Sequence, residues 1–241
     1  MNVILQSAIP PEMHGDVRLP GAAPCAPDDW LRVDDAYAAQ MAYRLELMEK
    51  APNTVLWCAP DAVAAAQEVL EEALKILPTL GLEVRQKSVR CPDGRIVELT
   101  NSDPLRTLGA LVQQDICILQ KQGKEHVLTG AVVCFPANWR LQEKVGRPLN
   151  AINEPVAHYD QTVARRVQRL FDGVRVGRPL WRFNRLSYVE ADLHQPQREN
   201  VDGRLRFTRS ERQCMLRLPA TDAVVFAIHT FVVKQENVPP P

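Results

Sequence analysis

AVVCFPANWRLQEKVGRPLNAINEPVAHY, residues 131–159, reads as a buried strand that runs into a short helix and then two turns fixed by proline. Its counterpart is FTRSERQCMLRLPATDAVVFAIHTF, residues 207–231, which sets charged residues beside a short apolar helix and a strand. Neither stretch is a metal or nucleotide motif. Spacing alone supports a soluble mixed α/β domain with a polar site, and the two stretches are more distinctive as a pair than singly.

Working outward, 241 residues suffice for one large domain or two small ones with a substantial core. Hydrophobic residues make up 46% and charged residues 24%, an ordinary globular balance. Twenty-nine Lys and Arg against twenty-nine Asp and Glu give no net field toward nucleic acid or an anionic membrane. No run approaches the ~20 apolar residues needed to span a bilayer. The opening MNVILQSAIPPEMHGDV lacks the basic lead-in and long apolar core of a signal peptide. The six cysteines form no CxxC pair, which argues against zinc or an iron–sulfur cluster and for a reducing, cytoplasmic setting.

The chain opens with a proline-rich irregular arm, residues 1–27. Apolar residues at helical spacing predict amphipathic helices over Asp29–Glu49, Pro60–Leu77 and from Ser102 or Asp103 to Leu119. Pro92-Asp93-Gly94 supplies a turn between Leu82–Arg90 and Arg95–Thr100, which read as a hairpin. Val127–Phe135 is β-branched and nearly continuous, a strand covered on both sides. A helix over Asp160–Phe171 turns Arg165, Arg166 and Arg169 outward, as a solvated face or a docking surface. Residues 179–190 and Arg204–Thr208 read as strands, Glu211–Leu218 as a helix capped by Ser210, and Ala223–Val233 as the last strand before a proline-rich tail, 234–241. No repeat or long linker divides the chain. The order predicts an α+β fold, one domain whose antiparallel sheet is backed by the N-terminal helices.

Several polar residues are candidates for a site. Arg182 and Asn184 alternate onto one face of their strand, where a guanidinium suits bidentate capture of a carboxylate. Glu211 and Arg212, flanked by Arg209 and Arg217, are either helix-end electrostatics or a carboxylate and guanidinium set for an anionic cofactor group and a cationic substrate. Lys144, Gly146 and Arg147 close the helix after Trp139 and form either a C-cap or a second anion-binding set. Asp115 is a structural or a site carboxylate. The histidines, at 14, 126, 158, 194 and 229, show no HExxH or helical pair, and no P-loop, GxGxxG or GxSxG is present.

Taken in order, DDWLRVDDAY (28–37), LVQQDICILQK (111–121), VCFPANWRLQEKVGRPL (133–149), INEPV (152–156), RFN (182–184), RSERQCMLRLP (209–219) and AVVFAIHTF (223–231) resemble the alpha-subunit family of haem-dependent oxidative N-demethylase. The resemblance covers roughly residues 28–233 and implies a PAS-like fold holding haem b. It implies O2-dependent demethylation of a small secondary amine such as dimethylamine, releasing formaldehyde. Electrons would come from NADPH through a reductase subunit with FMN and a 2Fe–2S cluster, and tetrahydrofolate would take up the formaldehyde unit in a partner. Under the resemblance Glu211, Arg182 and Asn184 are the catalytic candidates, and Lys144, Arg147, Arg209 and Arg212 the cofactor-binding ones. The family's Ile-His-x-Pro-Val is Ile152-Asn153-Glu154-Pro155-Val156 here, so His158 becomes the candidate iron ligand. The family's Gln-Glu-Asp is Gln113-Gln114-Asp115, and the usual arginine of the last strand is His229. A haem- or ligand-binding sensor module of the same fold, without turnover, is the alternative. A structural assembly partner that docks through the arginine-bearing helix is the third.

Overall fold

The computed structural model describes residues 3–15, 21–100, 102–153, 161–197 and 203–238. In chain order its elements are β1 (Ala23–Pro24), α1 (Tyr37–Lys50), α2 (Pro52–Val55), β2 (Leu56–Cys58), α3 (Val63–Ile76), β3 (Glu83–Val84), β4 (Ser88–Arg90), β5 (Ile96–Glu98), α4 (Pro104–Leu111), β6 (Asp115–Gln122), β7 (Glu125–Val132), α5 (Leu149–Asn153), α6 (Gln161–Gly173), β8 (Leu180–Tyr188), β9 (Phe207–Arg217) and β10 (Val224–Lys234). Seven strands pair antiparallel in the order β1-β8-β9-β10-β6-β7-β2, and β3, β4 and β5 form a small second sheet. The fold is therefore a single α+β domain. No helix among the described residues is long and apolar enough to cross a membrane.

Side chains alternate across a sheet, so register assigns every residue of β8, β9 and β10 to one of two faces. Trp181, Arg212, Cys214, Ala227 and His229 share one face; Arg182, Asn184, Glu211, Gln213 and Thr230 share the other. The first face meets the N-terminal helices, where Tyr37, Met41, Leu70 and Leu108 pack in one core with Ile116, Cys214 and Ala227. Toward its far end the second face is covered by Leu141, Leu149 and Phe171, which pack on Cys117, Met215 and Val224. The sheet is thus a middle layer, backed by the N-terminal helices as the sequence predicts.

Arg44 ties the helical layer to the sheet: it lies wholly inside, Nη1 is 2.5 Å from Asp115 Oδ1, and Nη2 donates to the Gln114 carbonyl at 3.0 Å. The same carboxylate accepts the backbone N–H groups of Cys134 and Phe135 at 2.8 and 2.9 Å, so it also fixes the chain leaving β7. Of the two roles open to Asp115, these bonds make it a structural carboxylate.

Four expectations are corrected. The helix predicted over Glu211–Leu218 is strand: residues 207–217 pair with β8 on one side and β10 on the other, and a full ladder on both sides outweighs local helix signals. The helix starting at Asp103 ends at Leu111, because Ile116-Cys117-Ile118-Leu119 is an apolar run that pairs as β6. The first helix starts at Tyr37 rather than Asp29, since the Asp34 carboxylate turns back to accept the Ala36 N–H at 2.9 Å. After Trp139 there is only a 3-10 turn, Leu141–Glu143, and the chain leaves it through Gly146 at a left-handed φ of 71°. Pro92-Asp93-Gly94 does turn the chain between strands, with Gly94 at φ 86°, although three short strands form rather than two long ones.

Candidate functional site

The second face of the sheet carries the polar cluster. Asn184 of β8 lies directly opposite Glu211 of β9, and Arg182 lies opposite Gln213. Asn184 Nδ2 and Gln213 Nε2 both donate to Glu211 Oε2, at 2.9 and 3.0 Å. The Glu211 backbone N–H donates in turn to Asn184 Oδ1 at 3.0 Å. Glu211 is only 8% exposed, so two neutral amides and a nearby guanidinium hold its carboxylate away from bulk water. That guanidinium is Arg209, whose Nε is 3.4 Å from Glu211 Oε1. Its other nitrogens donate to the carbonyls of Leu193 and Phe135 at 2.9 and 2.5 Å.

Arg182 differs. Among the described residues its side chain makes no hydrogen bond or ion pair, and its Nε is buried without a partner. Burial holds its guanidinium below the ordinary arginine range, and the charge of Glu211 offsets this only in part. On the neighbouring strand, Thr230 stands opposite Glu211 with a buried Oγ1 that also lacks a partner. Unpaired buried polar groups of this kind cost stability unless water or a ligand supplies the missing bonds.

The remaining predicted residues lie elsewhere. Arg212 occupies the opposite face, where Nη2 pairs with Asp29 Oδ2 at 2.7 Å and the guanidinium covers the Trp181 ring at 5.2 Å. Strand alternation parts it from Glu211, which a helix would not have done. Lys144 is half-buried under the second face; Nζ donates to the Ile152 carbonyl at 2.8 Å and lies 5.1 Å from the Trp139 ring centre. Burial pulls its pKa down, with Cys117 and Glu143 acting the other way. Arg147 is exposed, and its carbonyl accepts the Leu128 N–H of β7 at 3.1 Å. His158 and the side chain of Asn153 lie outside the described residues. The structure therefore gathers Glu211, Asn184, Arg182 and Arg209, and leaves Arg212 and Arg147 apart from them.

Two further site residues escape the sequence reading. Gln213 and Thr230 become visible only once 207–217 is read as strand, when an i, i+2 count from Arg209 puts Glu211 and Gln213 on one face. The third omission is His194. Its Nδ1 donates to the Cys134 carbonyl at 2.8 Å, a bond that requires the proton on Nδ1. That bond leaves Nε2 as the ring nitrogen that can offer a lone pair to a metal. His126 has the reverse tautomer: Gln168 Nε2 donates to its Nδ1 at 2.8 Å, so Nε2 carries the proton. His229 uses both nitrogens, with Gln114 at 2.7 Å and Asp34 at 2.8 Å. Among these three, His194 alone has the donor chemistry an iron porphyrin needs, and it adjoins Leu193, which holds Arg209.

A cavity of about 280 Å³ lies at the β1 edge, lined by Pro24, Cys25, Arg175, Arg178, Pro179 and Leu180 among others; none of the polar cluster lines it.

The paired Glu211 and Asn184, the RFN strand that carries Arg182 and the Phe135–Leu149 connection all fall inside one family match. The family model described as haem-dependent oxidative N-demethylase, alpha subunit-like, matches residues 21–239, nearly the whole chain, and this chain belongs to that family.

Proposed function

We propose that this chain is the haem-binding catalytic subunit of an oxidoreductase that demethylates a small secondary amine, dimethylamine being the simplest, with O2 as oxidant. The observation that carries this reading is the Glu211 carboxylate, buried and aimed by Asn184 and Gln213 on the same sheet face as the unpaired Arg182. The overall balance is amine plus O2, two electrons and two protons giving methylamine, formaldehyde and water. Haem b, when bound, supplies O2 activation and accepts electrons from a reductase partner that uses NADPH, FMN and a 2Fe–2S cluster.

The chain's own residues bind and orient. Glu211 pairs with the ammonium of the substrate, and the two amides keep the carboxylate from swinging away. Arg182, fixed on its strand with its terminal nitrogens unpaired among the described residues, offers a guanidinium fork to an anionic group at the same site. Arg209 is spent on two carbonyls and on Glu211, and acts by positioning the carboxylate. The fit to haem rests on His194, or on His158 as the resemblance suggests, for iron, and on Lys144 for a carboxylate edge. The PAS-like character of the fold, cytoplasmic location, and tetrahydrofolate as formaldehyde acceptor in a partner subunit belong to the same reading. Arg147 keeps its cofactor role if the porphyrin or a partner reaches its exposed surface, whereas Arg212, buried against Asp29 and Trp181, would act from the opposite face of the sheet.

A second reading, a ligand-binding or sensor module without turnover, is favoured by Asn153 at the position of the family histidine. Glu211→Gln separates the two. The amide keeps the shape and removes the charge, so amine turnover with a reductase falls by about 10² or more while haem absorption is retained. Turnover equal to the unaltered protein removes Glu211 as the amine anchor, and absence of turnover in the unaltered protein selects the sensor.

A further inference from the structure

The polar cluster does not have the charge balance of a site for a simple cation. Arg182 and Arg209 bring two positive charges and Glu211 one negative, so the cluster carries a net charge of about +1 before anything binds. Arg209 neutralises Glu211 at 3.4 Å, which leaves the charge of Arg182 without a counter-ion among the described residues. A dialkylammonium ion would take this half-buried cluster to about +2, an arrangement that partly desolvated surroundings penalise. A ligand with a carboxylate as well as an ammonium group avoids this.

Three other arginines, Arg44 of α1 and Arg212 and Arg217 of β9, show what Arg182 lacks. Arg44 has Asp115 and three carbonyls, Arg212 has Asp29, and Arg217 has the carbonyls of Phe171, Val174 and Asp222. Each places both terminal guanidinium nitrogens on partners within the fold, although the Nε of Arg212, like that of Arg182, is buried without one. Arg182 sits one diagonal step from Glu211, on the same face and on the adjacent strand, with its fork of donors unused. On the other side of Glu211, the unpartnered Thr230 hydroxyl is a second acceptor. A secondary ammonium has two N–H groups, and these two acceptors match that number.

We infer that the substrate of this site is a small zwitterion, an N-methylated α-amino acid, with its ammonium on Glu211 and Thr230 and its carboxylate on Arg182. The inference rests on the amine-site reading given above and does not require haem to be in place. It narrows the small secondary amine of that reading to an amino acid, and makes Arg182 the residue that selects it.

The test is calorimetric titration of the purified full-length chain with N-methylglycine and with dimethylammonium, on the unaltered protein and on Arg182→Met and Arg182→Lys. The expected result is N-methylglycine binding about tenfold or more tightly than dimethylammonium, a bidentate charged pair being worth at least that much. Arg182→Met brings the two ligands to parity, and Arg182→Lys, which keeps the charge without the fork, gives an intermediate preference. Equal binding of both ligands by the unaltered protein, no binding of N-methylglycine, or a preference that survives in Arg182→Met overturns the inference. Arg182→Met that loses haem uptake but retains the preference overturns it as well, since Arg182 would then serve a haem carboxylate. Haem uptake is read separately by absorption. A chain that takes up haem and prefers dimethylammonium refutes the amino-acid substrate alone; a colourless chain with an Arg182-dependent preference for N-methylglycine refutes haem chemistry alone.

Discussion

Asn184 and Glu211 face each other across β8 and β9 and exchange two hydrogen bonds, amide to carboxylate at 2.9 Å and backbone N–H to amide oxygen at 3.0 Å. The side chain of one strand thus replaces a backbone group in orienting the carboxylate of the next. Asn184→Leu, of similar volume, removes both bonds and leaves a buried carboxylate with fewer donors. The expected loss is about 1.5–3 kcal/mol, the usual worth of hydrogen bonds to a charged group, measured by urea denaturation. Asn184→Asp sets two carboxylates face to face, so its destabilisation is greatest at neutral pH and eases as the pair takes up a proton in acid.

Asp34 links the N-terminal segment to the last strand. Burial raises its pKa, but hydrogen bonds from His229, Gln113 and Gln6 outweigh that and hold the carboxyl at about 2, against 3.8 for a free aspartate. A depressed folded-state pKa means stability that is fully present above pH 3.8 and lost as pH falls toward 2. With the side chain only 17% exposed, the contribution is about 2 kcal/mol. Stability measured between pH 5 and 2, on the scale set by these two pKa values, falls less steeply in Asp34→Asn than in the unaltered protein. An identical slope in both contradicts the assignment.

Arg44 and Asp115 are a buried pair whose partners differ sharply in what their loss leaves behind. Arg44→Met strands a carboxylate that still has two backbone donors, whereas Asp115→Asn strands a wholly buried guanidinium. Each single variant is expected to lose about 3–5 kcal/mol. The double variant loses less than the sum, because neither charge remains unpaired, and a double-mutant cycle from denaturation midpoints measures the difference.

How far the sequence reveals this architecture depends on the range of the interactions. Helices α3 and α6 and strands β8 and β10 are legible because one face of each must be apolar, and periodicity records that directly. β9 is not, because its alternation of Arg209, Glu211 and Gln213 with Ser210, Arg212 and Cys214 is polar on both faces and gives no apolar stripe to count. Its strand character comes from neighbours distant in the chain. The same misreading joins Arg212 to Glu211 in sequence, while the structure sends Arg212 through the sheet to Asp29. Glu211, Arg182 and Asn184 survive as a group because two of them sit on a strand that periodicity identifies correctly. Thr230 and His194 carry no local signal: one matters by its register, the other by a hydrogen bond to Cys134, sixty residues away.

The central claim is that this fold takes up an iron porphyrin, and titration of the purified chain with haemin, followed by absorption spectroscopy, tests it most directly. The account predicts a Soret band that saturates at one haem per chain and shifts when the reduced protein meets CO, with a further change of the ligand-field bands in His194→Ala or His158→Ala according to which histidine holds the iron. A spectrum no different from free haemin at every ratio, with the protein folded, would contradict it.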